Sequence, residues 1–164
     1  MNPSYFRIKL SQNEAVERLC KWTGKVPKES IETSYRDAVS SACKDGQWKG
    51  RAVYVYDNEG WTVFEDLSGG FTEIPAEDWL RFAGKESLVV AGYNDALIVA
   101  ELIVIENDTI VRDFFEYIDD PESYRNIGAL PFESEHPIKS WVGVAGFVDD
   151  DAIVFSDKGT VLIF

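Results

Sequence analysis

Residues 88–118 place the strongest constraint on the fold. They read LVVAGYNDALIVAELIVIENDTIVRDFFEYI, three apolar runs separated by two compact turn signals. Gly92, Tyr93, Asn94 and Asp95 form the first signal and Glu106, Asn107 and Asp108 the second, both rich in residue types that tolerate turn conformations. Val, Ile, Leu, Phe and Tyr dominate the runs between them, and such side chains suit a pleated, packed surface. The pattern predicts a three-stranded antiparallel meander. Its middle run, 96–105, has Glu101 as its single charge and is expected to be central and covered on both faces. In the third run Val111, Asp113, Phe115 and Tyr117 share one face, and Arg112, Phe114 and Glu116 the other.

Taken in order, residues 5–10 read as a first strand. Ser11 and Glu14 have capping-box spacing, and Ala15, Val16, Leu19 and Trp22 follow at helical period. A second helix is expected from Ser30, with Ile31, Tyr35, Ala38, Val39 and Ala42 on one face and Asp45-Gly46 closing it. From Trp48 the period becomes two. Residues 51–56 and 61–67 then form a hairpin around a turn at 57–60. Pro75 opens a short helix with Trp79, Leu80 and Phe82 as its apolar face, ended by Gly84. After the meander comes a connection of about twenty residues, a length often tied to function or motion. Residues 140–148 fit a strand or a short helix equally well. Asp149, Asp150 and Asp151 read as an acidic turn, and 152–155 with 160–164 as a final hairpin. The expected class is α+β: a largely antiparallel sheet with N-terminal helices and one short inserted helix packed on it. At 164 residues the chain fits a single domain, 1–164.

Charge is the informative part of the composition. The formal net charge is −13. Residues 1–51 hold 10 Lys/Arg against 6 Asp/Glu, residues 52–105 hold 2 against 10, and residues 106–151 hold 3 against 12. A field of that size argues against nucleic acid or an anionic membrane as partner. It suits either a self-repelling soluble surface or a face built to meet a basic protein. No apolar run reaches the length of a membrane span and the N-terminus has no secretion-signal pattern, so a cytoplasmic location is expected.

The search for chemistry yields little. His136 is the only histidine, sits between Glu135 and Pro137, and has no partner at catalytic or metal-ligand spacing, so a surface role is expected. Cys20 and Cys43 read as buried free thiols. Ser68-Gly69-Gly70 lacks the lysine and glycine pattern of a phosphate loop and reads as a turn. The acidic runs lack the alternate-residue spacing of a calcium loop. Trp48, Trp61, Trp79 and Trp141 adjoin strand or helix signals and are expected mainly in cores. No catalytic residue, metal or cofactor is expected.

One resemblance adds to this reading. It rests on Gly60-Trp61-Thr62-Val63-Phe64-Glu65-Asp66-Leu67-Ser68-Gly69, then Ala91-Gly92-Tyr93-Asn94-Asp95, then Val111-Arg112-Asp113-Phe114, then Ser140-Trp141 with Phe147-Val148-Asp149. The succession spans most of residues 48–155 and resembles immunity proteins of bacterial polymorphic-toxin and contact-dependent-inhibition systems. The resemblance implies a cytoplasmic, non-enzymatic α+β protein that binds and blocks one cognate toxin domain. Such toxins are often basic nucleases, a match to the acidic balance here. On that reading the partner-binding residues are the carboxylates of two acidic segments: Asp119, Asp120 and Glu122, with Asp149, Asp150 and Asp151. The competing reading is a small-molecule or metal-binding domain with a pocket near the meander, where Trp61, Tyr93, Asp95 and Arg112 are the candidate ligand-binding groups.

Overall fold

The computed structural model describes residues 4–150 and 156–164. The first elements are β1 (Ser4–Ile8), α1 (Gln12–Thr23), β2 (Glu29–Thr33), α2 (Tyr35–Ala42), β3 (Cys43–Lys44), β4 (Gln47–Trp48), β5 (Ala52–Asn58) and β6 (Trp61–Asp66). They are followed by α3 (Ala76–Ala83), β7 (Leu88–Asn94), β8 (Val99–Glu106), β9 (Thr109–Tyr117), β10 (Arg125–Gly128), α4 (Trp141–Asp150) and β11 (Gly159–Ile163). Single 3-10 turns lie at Pro121–Ser123 and Pro131–Ser134. The fold is α+β, with large antiparallel pairing and helices packed against it. The chain gathers into two compact units, one built from 72–150 with Ser4 and Tyr5, the other from Phe6–Phe71 with 156–164.

In the unit that holds the meander, β10, β9, β8 and β7 lie side by side in that order. The predicted three strands form, with Val89 opposite Val104 and Leu102 opposite Phe114. β8 is buried from Ala100 to Ile105, as its apolar composition requires. Gly92 and Tyr93 belong to β7 rather than to the first turn. That turn begins after Asn94, whose Oδ1 accepts from the amides of Ala96 and Leu97 at 3.0 Å each. α3 covers β8 and β9 and buries Trp79 and Phe82, whose rings meet edge to face at 5.8 Å.

The connection after β9 is more ordered than its composition predicts. Arg125–Gly128 adds the edge strand β10, with Gly128 opposite Arg112. Edge strands carry little apolar alternation, so this one leaves no periodic trace. Gly128 has φ +72, and a Cβ there would lie 2.2 Å from the Val111 carbonyl oxygen. Gly128→Ala should therefore destabilise the protein by about 1–3 kcal/mol and expose the β10 amides first, as read by urea unfolding and amide exchange. Wild-type exchange at residues 125–128 would refute this.

In the other unit β1, β6, β5, β11 and β2 lie side by side in that order. The β5–β6 hairpin forms as expected, with Asn58 opposite Trp61 and a two-residue turn at Glu59 and Gly60, φ 49 and 81. Phe6 stacks on Phe64 at 4.6 Å in the core beneath α1. Ser11 does not cap a backbone amide; its hydroxyl donates to the Glu14 carboxylate instead. The helix expected from Ser30 is corrected: Glu29–Thr33 is a strand, paired with β11. Its partner lies far away in sequence, so local period misled. The helix starts after Ser34, whose Oγ accepts from the Asp37 amide at 3.3 Å. Asp45 and Gly46 turn the small β3–β4 hairpin rather than end that helix. Cys20 and Cys43 are half-buried free thiols, not buried ones: Cys20 stands beside the Ala15 and Leu19 face of α1, and Cys43 begins the two-residue strand β3. The strand expected at 152–155 lies outside the described residues, while 160–164 supplies β11, which pairs with β5 and β2.

The Ser68-Gly69-Gly70 segment is a closed turn. The Asp66 carboxylate accepts from the Gly70 and Phe71 amides at 3.0 and 2.7 Å. Those donors are already bound to an anion, which leaves no cradle for a phosphate.

Candidate functional site

The acidic segments are best followed from the sheet outward. At one end of the meander Asn94, Val99 and Tyr117 stand in register, and the Ile118 amide donates to the Ile98 carbonyl at 3.1 Å. The β7–β8 turn and the chain leaving β9 therefore share that end. Asp95 is exposed on the first, and Asp119, Asp120 and Glu122 are exposed on the second. The Asp120 carbonyl accepts from the Ser123 amide and hydroxyl, which sets the 3-10 turn that displays Glu122.

Residues 140–148 resolve to helix. α4 packs on β7 and β8 and buries Val144. Its first amide, that of Trp141, donates to the Glu116 carboxylate, an anion at the positive end of a helix. Asp149 and Asp150 are helical and exposed rather than in a turn, because the helix formed by the apolar run before them continues through both. Asp151 lies outside the described residues. The Trp141 ring lies 6.4 Å from that of Tyr93. Partial burial, then the negative fields of Asp149 and Asp95, push the Tyr93 phenol above its ordinary pKa. α4 thus carries the second acidic segment into the neighbourhood of the first.

Of the candidate ligand-binding groups, Tyr93 is half-buried and Asp95 is exposed at this same end of the sheet. Trp61 belongs to the other unit, where the Arg7 guanidinium lies 4.7 Å over its ring. Arg112 is not a pocket group. It is 1% exposed, and all five of its N–H donors are engaged within the protein. Nε and Nη2 grip the Glu133 carboxylate at 2.8 and 3.0 Å, Nη2 also reaches the Ile138 carbonyl, and Nη1 those of Ile127 and Asp113. The same carboxylate accepts from the Leu130 and Ile138 amides at 2.8 and 3.1 Å. Arg112 is thus a brace that holds segment 130–138 onto β9.

That segment and α4 enclose a cleft of about 720 Å³. Its surface includes Phe132, Glu135 and His136 from the braced segment and Gly146, Phe147 and Asp150 from α4. Phe132 and Phe147 stack at 6.0 Å and 18°. His136 is exposed there, as a surface histidine should be. Sequence reasoning missed the cleft. Its one local signal is that Gly143, Gly146, Phe147 and Asp150 recur at helical period, and the helix itself was undecided.

Two buried carboxyls lie elsewhere. Glu101, 8% exposed, accepts from the Glu73 amide at 3.0 Å. Burial drives its pKa up to about 8, against the lowering effects of that amide and of Arg125. Glu65, 5% exposed, accepts from the Tyr56 hydroxyl at 3.0 Å, and burial pushes it up to about 7. Both are enclosed by packing. Among the described residues no group of three His, Cys, Asp or Glu side chains is placed to hold a metal ion. Among the same residues no helix is long and apolar enough to cross a membrane.

No protein family, curated protein or solved structure matches the chain.

Proposed function

We propose that this is a cytoplasmic immunity protein, not an enzyme, that binds a basic, nuclease-like bacterial toxin domain and covers its active surface. The observation that supports this reading is the convergence at one end of the meander. Asp95, Asp119, Asp120 and Glu122 are exposed there, and Asp149 reaches the same neighbourhood through α4. Asp150 extends the acidic surface along α4, and Asp151 follows it in the sequence. Such a surface steers a cationic partner into encounter and competes for the groups that would hold phosphate.

The test begins with capture of the toxin by tagged protein at low and moderate salt, identified by mass spectrometry. One basic protein should be retained in stoichiometric amount and shed as salt rises. Asp119→Lys, Asp120→Lys and Glu122→Lys together should then weaken its binding at least about tenfold and flatten the salt dependence, with an unchanged unfolding midpoint. Affinity unaltered by the triple reversal would remove this surface from the interface. A captured partner that is neither basic nor salt-sensitive would overturn the reading itself.

A further inference from the structure

We infer that the cleft between α4 and segment 130–138 is a receptor for an arginine side chain of the basic partner, an inference that rests on the reading above. Its lining includes an aromatic pair. Phe132 and Phe147 are nearly parallel at 6.0 Å, and Phe132 is 44% exposed, so the stacked pair presents aromatic surface at the cleft. Guanidinium stacks on such faces and is weakly hydrated, whereas the ammonium of lysine is a strongly hydrated point charge.

The surrounding charge has the complementary sign. Glu135 and Asp150 both line the cleft and are exposed, and among the described residues neither side chain has a hydrogen bond or an ion pair. Gly146 keeps the α4 wall open: a Cβ built there meets nothing within 4 Å. The opposite wall is fixed by the Arg112–Glu133 brace, so little ordering has to accompany binding.

The experiment uses the whole protein and N-acetyl-arginine methylamide, with the neutral citrulline analogue as control. The single histidine, His136, supplies one set of imidazole resonances at the cleft. These should shift saturably with the arginine compound in the millimolar range and stay in place with the citrulline compound. Gly146→Leu fills the cleft without removing any packed group and should abolish the shift; because leucine suits a helix better than glycine, its unfolding midpoint should not fall below wild type. Glu135→Gln with Asp150→Asn should weaken it roughly tenfold. A response that never saturates, an equal response to citrulline, or a wild-type curve from Gly146→Leu overturns the assignment. The titration contains no toxin, so its failure leaves the charge-reversal test of the acidic end standing, and the converse also holds.

Discussion

Arg112→Met should lower the stability of the protein by roughly 3–5 kcal/mol, the usual effect of removing one partner from a buried ion pair. The side chains of Arg112 and Glu133 are 1% and 4% exposed. Without the guanidinium, Glu133 keeps its two amide donors but remains a buried charge with no counterion. Lysine would not substitute, because it cannot form the two parallel bonds that Nε and Nη2 make to one carboxylate. The double variant Arg112→Met with Glu133→Gln should recover part of the loss, since a neutral amide needs no counterion and its oxygen still accepts from one of the two backbone amides. Urea unfolding of the two singles and the double closes this cycle. Losses that simply add would mean that the two side chains act independently. Burial alone would raise the Glu133 pKa, but the Arg112 bonds and the two amides outweigh it and hold the group below its ordinary value. A carboxyl depressed in the folded state contributes stability above its unfolded pKa and loses it as pH falls through the folded one. The brace is therefore an acid-labile element.

The second large effect has the opposite sign. Glu101 and Glu65 are raised to about 8 and about 7 from an ordinary 4.5. A carboxyl whose pKa is higher folded than unfolded retains its proton better in the native state, so the unfolded chain binds fewer protons between the two values. Stability associated with such a group is complete below about pH 4.5 and declines as pH rises, to about 7 for Glu65 and about 8 for Glu101. For Glu101 the decline across that window is on the order of 4 kcal/mol. Glu101→Gln keeps an acceptor for the Glu73 amide and cannot ionise. It should unfold at clearly higher urea than wild type at pH 8 and lose most of that advantage at pH 5. Glu65→Gln, which still accepts from Tyr56, should show a smaller advantage that builds up between about pH 4.5 and 7 and persists above that. A wild-type pH slope that survives in Glu101→Gln would show that the charge is relieved in some other way.

The sequence was legible where structure is local. The meander could be read because its strands are adjacent and its two turns are short, and the hairpin at 57–60 and the helix after Pro75 for the same reason. β2 reads as helix in the sequence because Ile31 fits the period of Tyr35 and Ala38, while the partner that makes it a strand is β11. β10 was invisible because an edge strand needs no apolar face. Arg112 looked like a ligand group because it is a lone cation near the sheet centre. Its true partners, Glu133 and three carbonyls, come mostly from a segment whose place against β9 no periodicity records. The exposed carboxylates were identifiable residue by residue, but not their meeting at one end of the sheet, which needs the register of β7, β8 and β9. The aromatic cleft joins two segments and so has no contiguous signature.

The position of β11 between β5 and β2 sets the order of events during synthesis. Ile31 of β2 pairs with Val161, 130 residues further on, so β2 emerges from the ribosome long before the strand it pairs with exists. Closing so long a loop costs about 2 kcal/mol more in chain entropy than closing a ten-residue one. The meander, by contrast, closes through short turns as soon as residue 117 is free. Residues 29–33 should accordingly be the slowest part of the chain to gain protection on refolding, and through that interval an unpaired strand remains open to chaperones and to misassembly with a second nascent chain.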